Sequence, residues 1–162
     1  VINPGWSFGK GSHPTTKLCI KALENLFKNK QIETVLDVGC GSGVLSIASA
    51  ALGAGDIVGV DIDQVITNEA NCNKEENGFS SKIKIILGSI EDVPAKFDLV
   101  VANILIDSIV TISPEIQERV NDGGTILLSG IKDEQKHRAI EKLSEFGYHL
   151  EKEYQEKGWV AL

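Results

Sequence analysis

The stretch VLDVGCGSGVLSI, residues 35–47, decides the fold. A short apolar run leads into Gly39, Gly41 and Gly43, and a second apolar run follows at once. That order reads as a strand, a tight turn and a helix. Glycines let the backbone turn left-handed and approach a ligand with no side chain between. The loop amides and the N-terminus of the following helix favour a negative group. A dinucleotide fingerprint places its third glycine one residue later, where Val44 stands, which disfavours an NAD-dependent oxidoreductase. A ligand carrying both a carboxylate and an ammonium suits the loop better. Its carboxylate meets the amides of the Gly39 and Gly41 turn, and Asp37 with the loop carbonyls receives the ammonium, directly or through water.

Further along the chain, five apolar runs have strand character: Thr34–Val38, 57–61, Ile83–Leu87, Phe97–Asn103 and 124–129. Most are continuous rather than alternating, as expected of strands covered on both faces. Helical patterns separate them: Val44–Leu52 before Gly53, and 63–77 before Gly78. Next come Ile109, Ile112, Ile116 and Val120 on one face, with a restart at Ser113-Pro114, and then 133–146, which buries Ala139, Ile140, Leu143 and Phe146. Strand–helix alternation at this spacing predicts a doubly wound α/β domain with a mostly parallel sheet. Two last runs, 148–156 and 159–162, flank Lys157-Gly158 and predict a closing antiparallel hairpin. At the front, Leu18, Ala22, Leu23 and Leu26 form one helical face, with Lys17, Lys21, Glu24 and Lys28 opposite. Pro14 suits the first turn of that helix.

Asp61 closes the second strand, 22 residues after Gly39. A carboxylate there can accept both hydroxyls of a ribose and repels a 2′-phosphate. Asn103 closes the fourth strand, beside the point where strands one and four part, which is where open α/β sheets bind ligands. Its carbonyl can orient an attacking amine and its amide can bond the ligand, so Asn103 is the expected catalytic residue. The other role open to it is to cap the next turn.

Composition narrows the function further. The 162 residues fit one domain, with 42% apolar residues for its core. No run reaches the ~18 apolar residues of a membrane span. Net charge is -7, unevenly spread: residues 1–30 hold five lysines against Glu24, and the remaining 132 hold 11 basic and 22 acidic side chains. An acidic body argues against a broad nucleic-acid surface and suits a basic protein partner. Cys19, Cys40 and Cys72 are an odd number without a close pair, which indicates a reducing, cytoplasmic setting. The scattered His13, His137 and His149 predict no metal site.

The segment FGKGSHPTT, residues 8–16, makes a poor phosphate loop, because Pro4 stands where the first glycine belongs and Gly11 follows Lys10. With LDVGCGSGVLSIAS, the following GVDID, and VVANIL, it carries a different likeness. The chain resembles the class I S-adenosylmethionine-dependent methyltransferases and, in detail, the ribosomal protein L-eleven methyltransferase (PrmA) family. That resemblance implies a Rossmann-like, mostly parallel seven-stranded sheet with a C-terminal antiparallel hairpin. It implies S-adenosylmethionine as cofactor, with contacts from Thr16, Gly39, Asp61 and Asn103. It also implies methyl transfer to lysine and α-amino groups of a large-subunit ribosomal protein. Asn103 lacks a following Pro-Pro-Tyr, which fits an aliphatic amine acceptor. The family's Gly-Thr-Gly-Thr-His is Gly-Lys-Gly-Ser-His here, which puts a cation at Lys10. Residues 1–162 are expected to be one catalytic domain, with residues 1–30 as its loop and leading helix, and without the family's N-terminal recognition domain. The remaining alternatives are a methyltransferase for another protein or small-molecule amine, and a cofactor-binding module without catalysis.

Overall fold

A computed structural model describes Ile2 and residues 11–162. The chain runs α1 (Pro14–Asn29), β1 (Thr34–Val38), α2 (Val44–Leu52), β2 (Asp56–Asp61), α3 (Gln64–Glu76), β3 (Ile83–Leu87) and β4 (Phe97–Asn103). It continues through α4 (Ile106–Thr111), α5 (Ser113–Glu118), β5 (Val120–Ser129), β6 (Ile131–Lys132), α6 (Lys136–Ser144), β7 (Tyr154–Glu156) and β8 (Trp159–Ala161). The first five strands form a parallel sheet in the order β3-β2-β1-β4-β5, so the direction of winding reverses between β1 and β4.

Alternate residues of the central strands feed two separate cores. Leu36, Val100 and Ala102 face one core with Ile109, Ile116 and Leu143 of α4, α5 and α6. Val35, Leu99 and Val101 face the other with Leu18, Leu23 and Leu45 of α1 and α2. Burial on both faces is why these strands read as unbroken apolar runs. The expected face of α1 is buried at Leu18, Ala22 and Leu23, with Lys17, Lys21, Glu24 and Lys28 exposed.

The doubly wound sheet and the terminal hairpin are present, but the strands divide between two sheets. β6, β8 and β7 form a small antiparallel sheet of their own. Gly130, at φ +81, turns the chain out of β5, so β6 leaves the parallel ladder and pairs with β8. One reciprocal pair still links the sheets, Leu128 and Leu162 each donating its N–H to the other's carbonyl at 2.9 Å. The hairpin turns at Lys157 and Gly158, with φ of +51 and +77. Two positive φ values between Glu156 and Trp159 are the signature of a type I′ turn.

Two helical expectations are corrected. Val120 does not extend the face of Ile109, Ile112 and Ile116 but opens β5 opposite Phe97. The helix stops at Ile112, because Pro114 has no N–H to continue the ladder, and the Ser113 hydroxyl donates back to the Ile109 carbonyl at 2.7 Å. The predicted helix over 133–146 is α-helical over Lys136–Ser144, after a 3₁₀ turn at Asp133–Gln135. Ala139 and Leu143 are buried there, whereas Ile140 and Phe146 are half-buried.

Asp98 ties the opposite end of the sheet. Its Oδ2 accepts from Glu33 N, Thr34 N and the Thr34 hydroxyl, each at 3.0 Å, and its Oδ1 accepts from Asn121 Nδ2 at 2.9 Å. Burial pushes its pKa up, but the bonds from Thr34, Asn121 and Glu33 outweigh burial and hold it below the usual value. A depressed carboxyl stabilises the fold above its unfolded pKa of ~3.9 and loses that contribution as pH falls through its folded value. Asp98→Ala is therefore expected to lower stability near neutrality by roughly 1–2 kcal/mol. It should also flatten the acid limb of urea midpoints measured from pH 2.5 to 6.

Candidate functional site

Strand register builds the site. Val38 pairs with Val60 of β2 on one side and with Ala102 of β4 on the other. One residue further along, Asp61 and Asn103 end their strands on either side of Gly39, the first residue of the turn after β1. All three lie at the carboxyl ends of the strands, at the reversal between β1 and β4.

The glycine turn is held from several directions. Gly39, Gly41 and Gly43 have φ of +67, +55 and +77, so each occupies the left-handed region that the alternate spacing predicts. Cys40 N donates to Val60 O at 2.9 Å, Gly41 N to Asp61 Oδ2 at 3.1 Å, and Asn73 Nδ2 of α3 to Ser42 O at 2.9 Å. Asp61 also accepts from Asp63 N through Oδ1 at 3.2 Å. Each carboxylate oxygen thus keeps one lone pair for a ligand. Three of the loop amides are already committed, Cys40 N to Val60 O, Gly41 N to Asp61 and Gly43 N to Cys40 O, so the expected contact of a ligand carboxylate with the Gly41 amide is not open.

Asp37 lies beneath this turn, only 2% exposed. Its Oδ2 accepts from Ser46 N at 3.0 Å and from the Ser46 hydroxyl at 2.7 Å, which locks β1 to the first turn of α2. Burial pushes its pKa up to about 6; the Ser46 bonds pull it down and the neighbouring Asp61 charge adds to the rise. Cys40 and Cys19 are also buried, and loss of solvation pushes both thiols up, Cys19 to about 12. Cys72 is exposed.

Two of the candidate residues have a buried oxygen with no hydrogen-bond partner among the described residues: Thr16 Oγ1 and Asn103 Oδ1. Thr16 lies in the first turn of α1, fully buried. Beside it, His13 caps the helix, its Nδ1 accepting from Thr15 N at 3.4 Å, and its ring meets Trp159 edge-on at 5.2 Å. Two apolar side chains remain exposed next to the polar ones: Ile62 at 81% after Asp61, and Leu105 at 71% after Asn103 and Ile104. Phe8, Gly9 and Lys10 of the FGKGSHPTT segment lie outside the described residues.

Sequence reasoning missed the supports. The Asp37–Ser46 clamp has a local signal, a polar residue in the first turn of a mostly apolar helix. Asn73 and Ile104 have none, because each acts across elements. A cavity of about 680 Å³ along the outer edge of β5, walled by Leu26, Thr125, Leu143 and Phe146 among others, contains none of the candidate residues.

A sequence profile described as ribosomal protein L11 methyltransferase (PrmA) matches residues 1–162. The chain is 43% identical over 162 residues to a ribosomal protein L11 methyltransferase of Limosilactobacillus reuteri, covering 99% of this chain and 50% of that protein. It thus spans about half the length of such curated relatives. A crystal structure of a ribosomal protein L11 methylase from Lactobacillus delbrueckii subsp. bulgaricus superposes with a TM-score of 0.90 at 33% identity, covering 99% of this chain and 81% of that one. A T. thermophilus 16S rRNA methyltransferase solved with AdoMet and guanosine has the same fold, with a TM-score of 0.79 at 23% identity over 96% of this chain and 44% of that one. The chain belongs to the ribosomal protein L11 methyltransferase (PrmA) family.

Proposed function

We propose that residues 1–162 are the catalytic domain of an S-adenosylmethionine-dependent enzyme that methylates lysine and α-amino groups of ribosomal protein L11. The observation that carries this reading is the pair of orphaned oxygens, Thr16 Oγ1 and Asn103 Oδ1, the second of them at a strand end whose neighbours carry the glycine turn and the Asp61 carboxylate. A buried polar atom without a partner is costly, and a polar ligand at this place removes that cost. The family membership points to the same cofactor. Recognition of the protein substrate then falls to parts of the family's longer proteins that lie outside these residues. A ribosomal-protein substrate fits a reaction in the cytoplasm.

The residues present fit the cofactor. The N-terminus of α2, which follows the Gly39–Gly43 turn, would favour its carboxylate, and Asp37 would balance its ammonium through water. Asp61 would offer the ribose its two free lone pairs, Ile62 would give the base an apolar face, and Thr16 would bond the methionine end. Bound there, S-adenosylmethionine supplies a methyl group activated by a positively charged sulfur. Asn103 Oδ1 accepts an N–H of the incoming amine, which orients the nitrogen lone pair and fixes the direction of attack. The amine must be neutral, whereas a free lysine has a pKa near ~10.4. Desolvation beside a positive charge lowers that value. His13 caps α1 in this arrangement.

Asp37 makes cofactor binding pH-dependent. A cation beside it favours the ionised carboxylate, so the bound state holds fewer protons than the free one. Affinity is therefore expected to rise with pH to about 6, the value for free Asp37, and to level off above it, changing at most about tenfold per pH unit. Calorimetry from pH 5 to 8 checks this, and Asp37→Asn should abolish the slope. The function itself is tested by transfer of radiolabelled methyl from S-adenosylmethionine to unmethylated L11, using the full-length protein. Cofactor binding without transfer to L11 would indicate another amine substrate, and binding of NAD alone would overturn the assignment.

A further inference from the structure

Gly130, which turns β5 into β6, does a second thing at the site. A Cβ placed there would overlap the carbonyl oxygen of Ile104 and stand 2.7 Å from its carbonyl carbon and 3.0 Å from its nitrogen. All three are backbone atoms, so no change of rotamer relieves the overlap. From the other side, the Ile104 side chain fills the space above Gly39, its Cγ2 lying 2.6 Å from where a Cβ on Gly39 would be. Ile104 is thus wedged between two glycines, its backbone against one and its side chain against the other. Register explains the meeting, because Asn103 pairs with Ser129 and the next residue on each strand is Ile104 and Gly130.

The residue just before this wedge is Asn103. Among the described residues no hydrogen bond holds its Oδ1, so its aim is inherited from the backbone it hangs on. We infer that Gly130 is a positioning residue for methyl transfer. Its lack of a side chain lets the Ile104 backbone seat against the β5–β6 corner, and that seating aims Asn103 Oδ1 at the acceptor amine. The inference rests on the role given to Asn103 above.

The test is Gly130→Ala in the full-length protein, assayed with S-adenosylmethionine and L11, in both the native and the Asn103→Ala backgrounds. Gly147→Ala is the control, since Gly147 has φ of +83 with nothing within 4 Å of where a Cβ would stand, and so shares the backbone strain without the overlap. A displacement of about 1 Å at a reacting group can cost up to ~10²-fold in rate. Gly130→Ala is expected to lower kcat by about 10–100-fold while cofactor Kd stays within about threefold. Gly147→Ala should leave kcat within about twofold, and Gly130→Ala should cost nothing further once Asn103 is already alanine. Native kcat in Gly130→Ala, an equal loss in Gly147→Ala, or an undiminished loss in the Asn103→Ala background would each overturn the inference. Should Gly130→Ala fail to fold, Ile104→Ala loosens the same wedge from the Gly39 side; its kcat must then fall, and only when Asn103 is present. Native kcat in Asn103→Ala alone, or no transfer by the unaltered protein, would instead overturn the functional reading and the inference with it.

Discussion

Gly39→Val should reduce affinity for S-adenosylmethionine by at least about 100-fold while the sheet stays folded. Two independent effects act together. The residue sits at φ +67, a conformation that costs an L side chain roughly 1–2 kcal/mol. Its Cβ would also stand 2.6 Å from Ile104 Cγ2, far inside van der Waals contact. Either Ile104 or the turn must then shift, and a shift of the turn strains the Cys40–Val60 and Gly41–Asp61 bonds that hold the cradle against β2. Gly53→Ala is the matched control: φ is +118, nothing lies within 4 Å, and the residue ends α2 away from the turn. Calorimetry should find near-native affinity in the control and none measurable in Gly39→Val. Native affinity in Gly39→Val would remove the glycine turn from the cofactor site.

Asn103→Ala should act on the chemical step instead. Removing one positioned hydrogen-bonding group from a reacting centre typically costs about 10²–10³-fold in kcat. The side chain is half-buried with its oxygen unpartnered among the described residues, so its loss leaves no new orphan and little damage to the fold. Thermal stability should change by no more than a few degrees, and cofactor Kd only modestly. Single-turnover methyl transfer separates the two, and an unchanged rate would make Asn103 a cap rather than a catalytic residue.

The sequence made some of this plain and hid the rest for physical reasons. Helix α2 is bounded at Val44 and Leu52, as its apolar run and Gly53 foretold, because both ends are set by glycines inside the local stretch. The Lys157-Gly158 turn was equally local. Val120 was misplaced because Ile109, Ile112, Ile116 and Val120 do fall at helical spacing, and only pairing with Phe97 on β4 puts Val120 in a strand. At the site, Gly39, Asp61 and Asn103 could be identified singly from strand ends and glycine spacing. That they meet at adjacent strand ends depends on two registers which no local pattern encodes. Hidden too were the commitments made across elements: Asp61 already holding Gly41, Asp37 holding Ser46, and Ile104 filling the gap between two glycines.

The three cysteines have a practical consequence. Loss of solvation keeps Cys19 and Cys40 as thiols at any ordinary pH, and both are out of reach of a reagent; the thiolate is the species that reacts. Cys72 alone faces solvent, and it adjoins Asn73, whose amide grips the Ser42 carbonyl of the glycine turn. A dye attached at Cys72 would therefore sit on the helix that senses the cradle, in an unmutated protein. Its signal would follow cofactor binding, and release of the other two thiols would report unfolding.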